Sequence, residues 1–251
     1  MSGELGTIAV WFSCGAASAV AAKRTIDFYS PAYNVRVINN PVIEEDEDNQ
    51  RFLKDVEQWL GVKVETAINS KYQSCSAVDV WEKRRFMSGP AGAPCTLELK
   101  KMARQQYEMD NDIDWHVLGF TSEEVKRYMN FKERERSNTI HVLHDVSKAD
   151  CYRIIQEAGV ELPRIYSMGY PNANCIGCVK ASSPTYWNHV RKTHPVQFEE
   201  RSKQSREIGA KLVRYKGERV FLDELPADAV GRPMKNMDFE CGIFCHTGDD
   251  Q

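Results

Sequence analysis

The stretch "TIAVWFSCGAASAVAAKRTIDFY", residues 7–29, constrains the fold more than any other part of the chain. Residues 7–12 form a short apolar run without polar alternation, the signature of a strand buried on both faces, and such strands belong to parallel sheets covered by helices. Apolar residues then recur at helical spacing from Ala16 to Tyr29, so the strand passes through a turn of small residues straight into a helix. Parallel strands need crossover connections, and the following sequence supplies them. "NVRVIN" (34–39), "VKVET" (62–66) and "DWHVLGF" (114–120) read as further strands. Helices are predicted over 49–60, ended by Gly61, then within "SAVDVWEKRRFM", "TLELKKMARQQY" and "TSEEVKRYMNFKERE", the last capped by Thr121 or Ser122, and over 147–159. This alternation predicts an α/β fold with a doubly wound, mostly parallel sheet. Two more helices, "PTYWNHVRKTH" and "PVQFEERSKQSREIG", and a hairpin from "AKLVRY" to "RVFL" form a cysteine-bearing C-terminal helical extension. The expected division is an α/β domain over 1–160 and an extension over 161–251 that packs on it.

Composition narrows the class. The 251 residues are 42% hydrophobic and 27% charged with a net charge of -3, which excludes a disordered chain and a bulk polyanion binder and leaves room for a local basic patch. No apolar run approaches the ~20 residues that span a bilayer, and the first residues lack the basic region and apolar core of a signal peptide. A cytoplasmic protein without a membrane partner is therefore expected. In a reducing compartment its eight cysteines point to metal, cluster or redox chemistry instead of a disulfide scaffold.

Open parallel sheets bind ligands at the carboxyl ends of their strands, where helix N-termini present N–H groups to anions. "SCGAAS" occupies that place. No Gly-Lys-Ser/Thr follows to make a Walker A loop, and Gly15 alone does not make a GxGxxG turn. What remains is a small-residue turn in which Ser13, Cys14, Gly15, Ala16, Ala17 and Ser18 wrap a phosphate, or a tight turn whose small side chains serve packing alone.

Cys175 and Cys178 form "NCIGC", a CxxC whose glycine lets both thiolates converge on one ion or cluster. Cys95 follows the "GAP" turn, and Cys241 with Cys245 forms "ECGIFC". Four thiolates from Cys175, Cys178, Cys241 and Cys245 would suit a closed zinc site. Cys14 and Cys151 read as small packing side chains, and Cys75 has no evident partner. The acidic run "EEDEDN" offers hard oxygen ligands to magnesium, or is a solvated loop. His141, His144, His189 and His194 show no ligand spacing. In "KASSPTYWNHVRKTH", Tyr186 and Trp187 are candidates to stack on a base, or residues of a packing helix.

Six pieces, "WFSCGAASAVAAK", "EEDEDNQRFLKDVEQWLG", "GAPCTLELKK", "GFTSEEVKR", "YPNANCIGCVKA" and "ECGI", resemble in order the phosphoadenosine phosphosulfate (PAPS) reductase family of the PP-loop superfamily, particularly its short phage-type members. The resemblance implies an adenine nucleotide α-hydrolase-like fold. It implies that Ser13, Gly15 and Ser18 grip the terminal phosphates or sulfate of ATP or an adenylylsulfate-type nucleotide, and that Lys126 and Arg127 neutralise charge there. The alternative for that pair is a solvated helix face with Glu123 and Arg127 as an i,i+4 ion pair; Lys100 and Lys101 likewise meet anions or face water. It places Cys95, Cys175 and Cys178 as ligands of a 4Fe–4S cluster and Cys241 as the mobile nucleophile, with Cys245 either the fourth ligand or the residue that resolves Cys241. Two departures stand out: the family's cysteine pair is here Pro94 and Cys95, and Ala17 replaces the aspartate of the ATP-hydrolysing signature.

Three functions follow from the resemblance: adenylation of an acceptor, a nucleic acid included, followed by sulfur transfer; reduction of a sulfonucleotide by Cys241 with a thioredoxin-like electron donor; or nucleotide sensing without turnover. The sequence leaves the oligomeric state open, a dimer included.

Overall fold

A computed structural model describes residues 5–90 and 92–234. Cys241 and Cys245 lie outside the described residues. In chain order the elements are β1 (Thr7–Trp11), α1 (Ala16–Tyr29), β2 (Asn34–Asn39), α2 (Asn49–Leu60), β3 (Val64–Thr66), α3 (Ala77–Arg84), α4 (Ala103–Met109), β4 (Trp115–Val117), α5 (Val125–Arg134), β5 (Thr139–Ile140), α6 (Lys148–Glu157), α7 (Arg164–Ser167), α8 (Pro184–Thr193), α9 (Pro195–Ile208), β6 (Val213–Tyr215) and β7 (Glu218–Val220). A π-helical stretch, Thr96–Met102, precedes α4, and a 3-10 turn, Ser122–Glu124, precedes α5. Among the described residues no helix is long and apolar enough to cross a membrane.

The chain groups into two interleaved units. One holds the described part of Met1–Pro41, with Glu47–Ile68 and Ala103–Tyr166; the other holds Val42–Asp46, Asn69–Met102 and the described part of Ser167–Gln251. Residues 42–46 and 69–102, expected within an N-terminal domain, thus group with the C-terminal third.

The first unit is built on a five-stranded sheet of order β3-β2-β1-β4-β5, every neighbouring pair parallel. The fold is therefore α/β, as the alternation of strands and helices predicts. β1 is central and its two faces feed two apolar layers, as a two-residue period requires. Ile8 and Val10 join Val20, Phe52, Val56, Leu143 and Ile155 in the larger layer, whereas Ala9 and Trp11 join Ile38 and Ala67 beside Tyr107. α1 buries Ala19, Val20, Ala21 and Ala22, whose small side chains let the helix lie close to its neighbours. In α2 the buried Phe52, Val56 and Leu60 recur every fourth residue, and Gly61 ends the helix in the left-handed conformation at φ 71°. Ser147 and Asp150 close a capping box on α6.

Where strands are shorter than predicted, local hydrogen bonding explains it. β4 stops at Val117 because Phe120 N–H turns back to the Leu118 carbonyl at 2.9 Å and leaves the ladder.

In the second unit, Tyr72, Trp81, Met87, Tyr186, Trp187, Phe198 and Leu222 are buried. β6 and β7 pair antiparallel through Lys216 and Gly217, both at positive φ (50° and 87°), as a two-residue hairpin turn demands.

Candidate functional site

The turn after β1 lies at the switch point of the sheet. From β1 the order runs outward to β2 on one side and to β4 on the other, the place where open α/β sheets bind ligands. Phe12 still donates to the Ile38 carbonyl at 2.8 Å; after it the backbone turns. Cys14 takes φ 55°, a left-handed conformation that costs a non-glycine residue about 1–2 kcal/mol. The surrounding structure fixes it there: Asn39, at the end of β2, donates to the Phe12 carbonyl at 2.8 Å and to Cys14 Sγ at 3.6 Å. Cys14 is buried, so its thiol is a packing group, and its backbone shapes the turn. Gly15 is the N-cap of α1 and supplies no side-chain cap, and the first turn of α1 contains no acid. The positive end of the helix is thus left for another acceptor.

Both serine hydroxyls brace the turn from within. Ser18 Oγ accepts from Ser13 N at 3.1 Å, donates to the Gly15 carbonyl at 2.9 Å and lies 3.2 Å from Ser13 Oγ. Ala17 brings no carboxylate. The Ala16 amide donates to the Tyr166 hydroxyl at 3.2 Å, a contact between residues 150 positions apart that no motif or spacing signals. Gly119, after β4, touches the turn so closely that a Cβ there would stand 2.6 Å from Ser18 N.

Beyond β4, Thr121 and Glu124 form the capping box that opens the 3-10 turn. Arg127 pairs with Glu124 at 2.5 Å and lies over the Phe120 ring; Lys126 is exposed. The alternative Glu123–Arg127 pair does not form: Arg127 pairs with Glu124, and Glu123 accepts from the Lys148 amide at 3.0 Å. In the acidic run the carboxylates of Glu44, Glu45 and Asp48 are engaged within their own units, and one oxygen of Asp46 is buried without a hydrogen-bond partner among the described residues. Glu45 holds the buried Lys100 at 3.0 Å, Glu44 accepts from Ser76 Oγ and the amides of Ala77 and Val78 at the start of α3, and Asp48 holds Arg51. The Arg51 hydrogen bond keeps the Asp48 pKa below the ordinary carboxylate range.

The cysteines Cys95, Cys175 and Cys178 belong to the second unit. Cys175 and Cys178 are buried in a turn that Gly177 makes at φ 68°, and Cys95 is half-buried before the π-helical stretch. The Tyr186 hydroxyl accepts from Cys178 N at 2.8 Å, and burial pushes its pKa well above 10. Arg201, itself buried, donates to the Gly177 carbonyl at 3.2 Å and lies 4.3 Å from the Trp81 ring centroid. Burial lowers its pKa, and the groups that counter this are Glu44, Cys175, Tyr186 and Cys95. Arg201 therefore lies within electrostatic reach of two of the three predicted ligands. Cys75, at φ 56°, stands near Lys100 and Glu44; burial raises its thiol pKa. Among the described residues no three Cys, His, Asp or Glu side chains are grouped to hold a metal ion. Tyr186 and Trp187 are fully buried, with the Trp187 indole donating to the Ala181 carbonyl at 2.7 Å, so neither is placed to stack on a base. Cys151 is buried in α6, and its pKa is pushed up to about 12 by burial, as befits a packing thiol.

No family model matches the sequence, and no curated protein matches it. Among solved structures, the U34-tRNA thiolase NcsA from Methanococcus maripaludis with its 4Fe–4S cluster is similar at 12% identity and a TM-score of 0.44, over 82% of this chain and 72% of that one. The strand order and the parallel pairing define the fold here; that likeness adds no residue to the site.

Proposed function

We propose that the turn 13–18 seats the phosphate end of an adenine nucleotide and that the protein uses it to activate an acceptor by adenylation, as the first step of sulfur transfer. The left-handed Cys14, held by Asn39 at the switch point in front of a helix N-terminus whose N-cap Gly15 brings no side chain and whose first turn holds no acid, carries this reading. Strain that the surrounding structure maintains at such a place is the mark of a binding loop. The helix end and the uncrowded amides would stabilise charge as pyrophosphate leaves. Arg127, if released from Glu124, and the exposed Lys126 would add countercharge. The acceptor is a nucleophilic oxygen such as a nucleobase carbonyl, which attacks the α-phosphorus of ATP as pyrophosphate leaves; a sulfide-level sulfur donor then attacks the activated carbon, and AMP departs with the oxygen.

Cys95, Cys175 and Cys178 with Cys245 are the proposed ligands of an iron–sulfur cluster, which when bound would carry sulfur or electrons; zinc is the competing ion. The described residues do not present an assembled metal site, so no step here depends on either.

A sulfonucleotide reductase with Cys241 as the nucleophile is the second reading. Ala17 favours it: the turn offers no carboxylate to position magnesium, and the acids of residues 44–48 that the structure shows engaged hold cations and helix amides instead.

Anaerobically purified protein titrated with ATP and adenylylsulfate tests the nucleotide reading, with iron and zinc analysis of the same sample. Micromolar binding of either nucleotide is expected, and binding of neither removes the proposal. Pyrophosphate release in the presence of a nucleic-acid acceptor supports adenylation. Sulfite release that disappears in Cys241→Ser supports the reductase in its place, and binding with neither product leaves a nucleotide sensor.

A further inference from the structure

We infer that the β6–β7 hairpin holds the phosphodiester backbone of a nucleic-acid strand. The inference goes beyond the proposed adenylation, since it uses none of the residues of the turn 13–18.

Residues 211–219, "KLVRYKGER", carry Lys211, Arg214, Lys216 and Arg219 against the single acid Glu218, in a chain whose net charge is -3. All four cations are exposed. Among the described residues none of them pairs with a carboxylate: Asp223 and Glu224, next along the chain, both hold Arg206. Lys211 and Lys216 instead stand over the rings of Phe221 and Tyr215, at 5.6 and 5.3 Å, which leaves their charge uncancelled.

Two features of this charge run against the rules of a hairpin. Arg214 lies directly opposite Arg219, while Tyr215 faces Glu218. The Arg214 amide points away from β7, to the Ser182 carbonyl at 2.8 Å, so the two arginines form the kind of pair that exchanges no backbone hydrogen bonds and brings its side chains closest. Like charges so placed repel. Side chains alternate between the faces of a strand, so Glu218 belongs to the other face and cannot separate them. Lys216 is the second departure. With Gly217 it forms a turn in which both residues have positive φ, where asparagine, aspartate or glycine is favoured, and lysine takes that place here at φ 50°. Cations on an open edge strand serve to keep other strands away. That accounts for Arg219 on β7. It does not account for Arg214, whose outer backbone edge is engaged by Ser182, or for Lys216, where asparagine would be as polar. Departures from local rules without a structural return are expected at functional positions.

Two facing guanidinium groups require more than one negative charge in one place. A nucleic-acid strand supplies a charge every ~3.4 Å and offers each as a pair of oxygens that a guanidinium grips at once. The carboxylates of an acidic peptide stand on separate flexible side chains, each of which must be ordered in turn. Arg219 is already braced for such a contact, because its donation to the Leu212 carbonyl at 3.1 Å draws the guanidinium across β6.

Fluorescence anisotropy of a short labelled single-stranded RNA tests this on the full chain without ATP, so that its failure leaves the nucleotide reading untouched. The variant Arg214→Gln with Lys216→Asn keeps the Arg219 bond and removes both departures. Each phosphate neutralised on a single strand contributes about 0.7 to the salt slope, so the variant's slope of log affinity against log salt is expected to be shallower by about 1.4, and its affinity at about 0.1 M salt roughly 25-fold weaker. Its thermal midpoint is expected to equal or exceed that of the unaltered protein, because repulsion and turn strain are both relieved. Lys54→Gln with Lys63→Gln, the same change of charge at exposed positions in and after α2, is expected to leave RNA affinity unchanged. An RNA affinity that stays the same in the hairpin variant, or that falls as far in this control, overturns the inference. A midpoint lowered together with affinity overturns it too, since the two cations would then be structural. Poly-glutamate that displaces the RNA as readily as an unlabelled strand overturns it in favour of an acidic polypeptide, and absence of RNA binding by the unaltered protein overturns it outright.

Discussion

Gly119→Ala puts the geometry of the turn to a direct test. A Cβ at this position would stand 2.6 Å from Ser18 N and 2.9 Å from both Ala17 C and Ser18 Cα, all of them backbone atoms at the start of α1. Ordinary contact begins near 3.4 Å, so about 0.8 Å of overlap has to be relieved, and no flexible side chain is available to give way. Either the helix start or the chain after β4 must move. Overpacking of this kind costs about 1–3 kcal/mol, which for a chain of this length lowers the thermal midpoint by roughly 2–12 °C. Because the displaced atoms belong to the proposed phosphate seat, ATP affinity should fall about tenfold as well. Gly61→Ala is the control. Gly61 has φ 71° with nothing within 4 Å, so its substitution costs about 1 kcal/mol through backbone conformation alone and leaves ATP binding untouched. Scanning calorimetry and nucleotide titration on the three proteins decide the matter. A Gly119→Ala protein with wild-type midpoint and affinity would refute the close approach of the two segments and the site built on it.

Three further outcomes follow from the structure. Cys14→Gly relieves left-handed strain and gives up a small buried side chain, so its unfolding midpoint in urea should stay within about 1 kcal/mol of wild type with nucleotide binding intact, whereas the β-branched Cys14→Val should lose about 2 kcal/mol and binding together. His116 accepts from the Trp11 indole through Nδ1 at 3.1 Å, and burial, with Arg136 and Arg104 nearby, brings its pKa down to about 4. The unfolded chain binds that proton near pH 6.5, so the stability His116 contributes is complete above about pH 6.5 and declines as the pH falls toward 4, by about 3 kcal/mol; urea titrations across this window should show a shallower slope in His116→Gln. Arg201→Ala removes the bond to the Gly177 carbonyl and the cation over Trp81, and should cost about 2–4 kcal/mol while speeding alkylation of Cys175 and Cys178 by a thiol reagent as their turn loosens.

The sheet was legible because its strands are apolar on both faces and its helices carry clear stops. Thr7–Trp11, Asn34–Asn39 and the helices starting at Ala16 and Asn49 follow from periodicity and Gly61 alone. β5 escaped notice because two residues, Thr139 and Ile140, are too few to show a period, and only pairing with His116 and Val117 makes them a strand. "TLELKKMARQQY" reads as one regular helix, yet its first seven residues widen to a π-helix, which turns Lys100 inward to Glu45. At the candidate site the turn itself was visible in its small residues. Asn39, Gly119 and Tyr166 were not, since each reaches the turn from a different element and no spacing in the sequence relates them. For the basic and aromatic segment around Trp187 the sequence leaves stacking and packing both open, and the structure decides for packing by turning its tyrosine and tryptophan wholly into the core.

The interleaving of the two units has a consequence for how the protein is made. The chain changes unit five times between residues 41 and 167, so neither unit corresponds to a continuous stretch of coding sequence. On the ribosome the parallel sheet cannot be completed until β5 has emerged, and the segment from Asn69 to Met102 must wait for partners translated some seventy residues later. Truncation at residue 160 would therefore not release a minimal nucleotide-binding fragment. It would strand Trp81 and Cys95 without Arg201 and the cysteine turn, exposing apolar surface to chaperones and proteases.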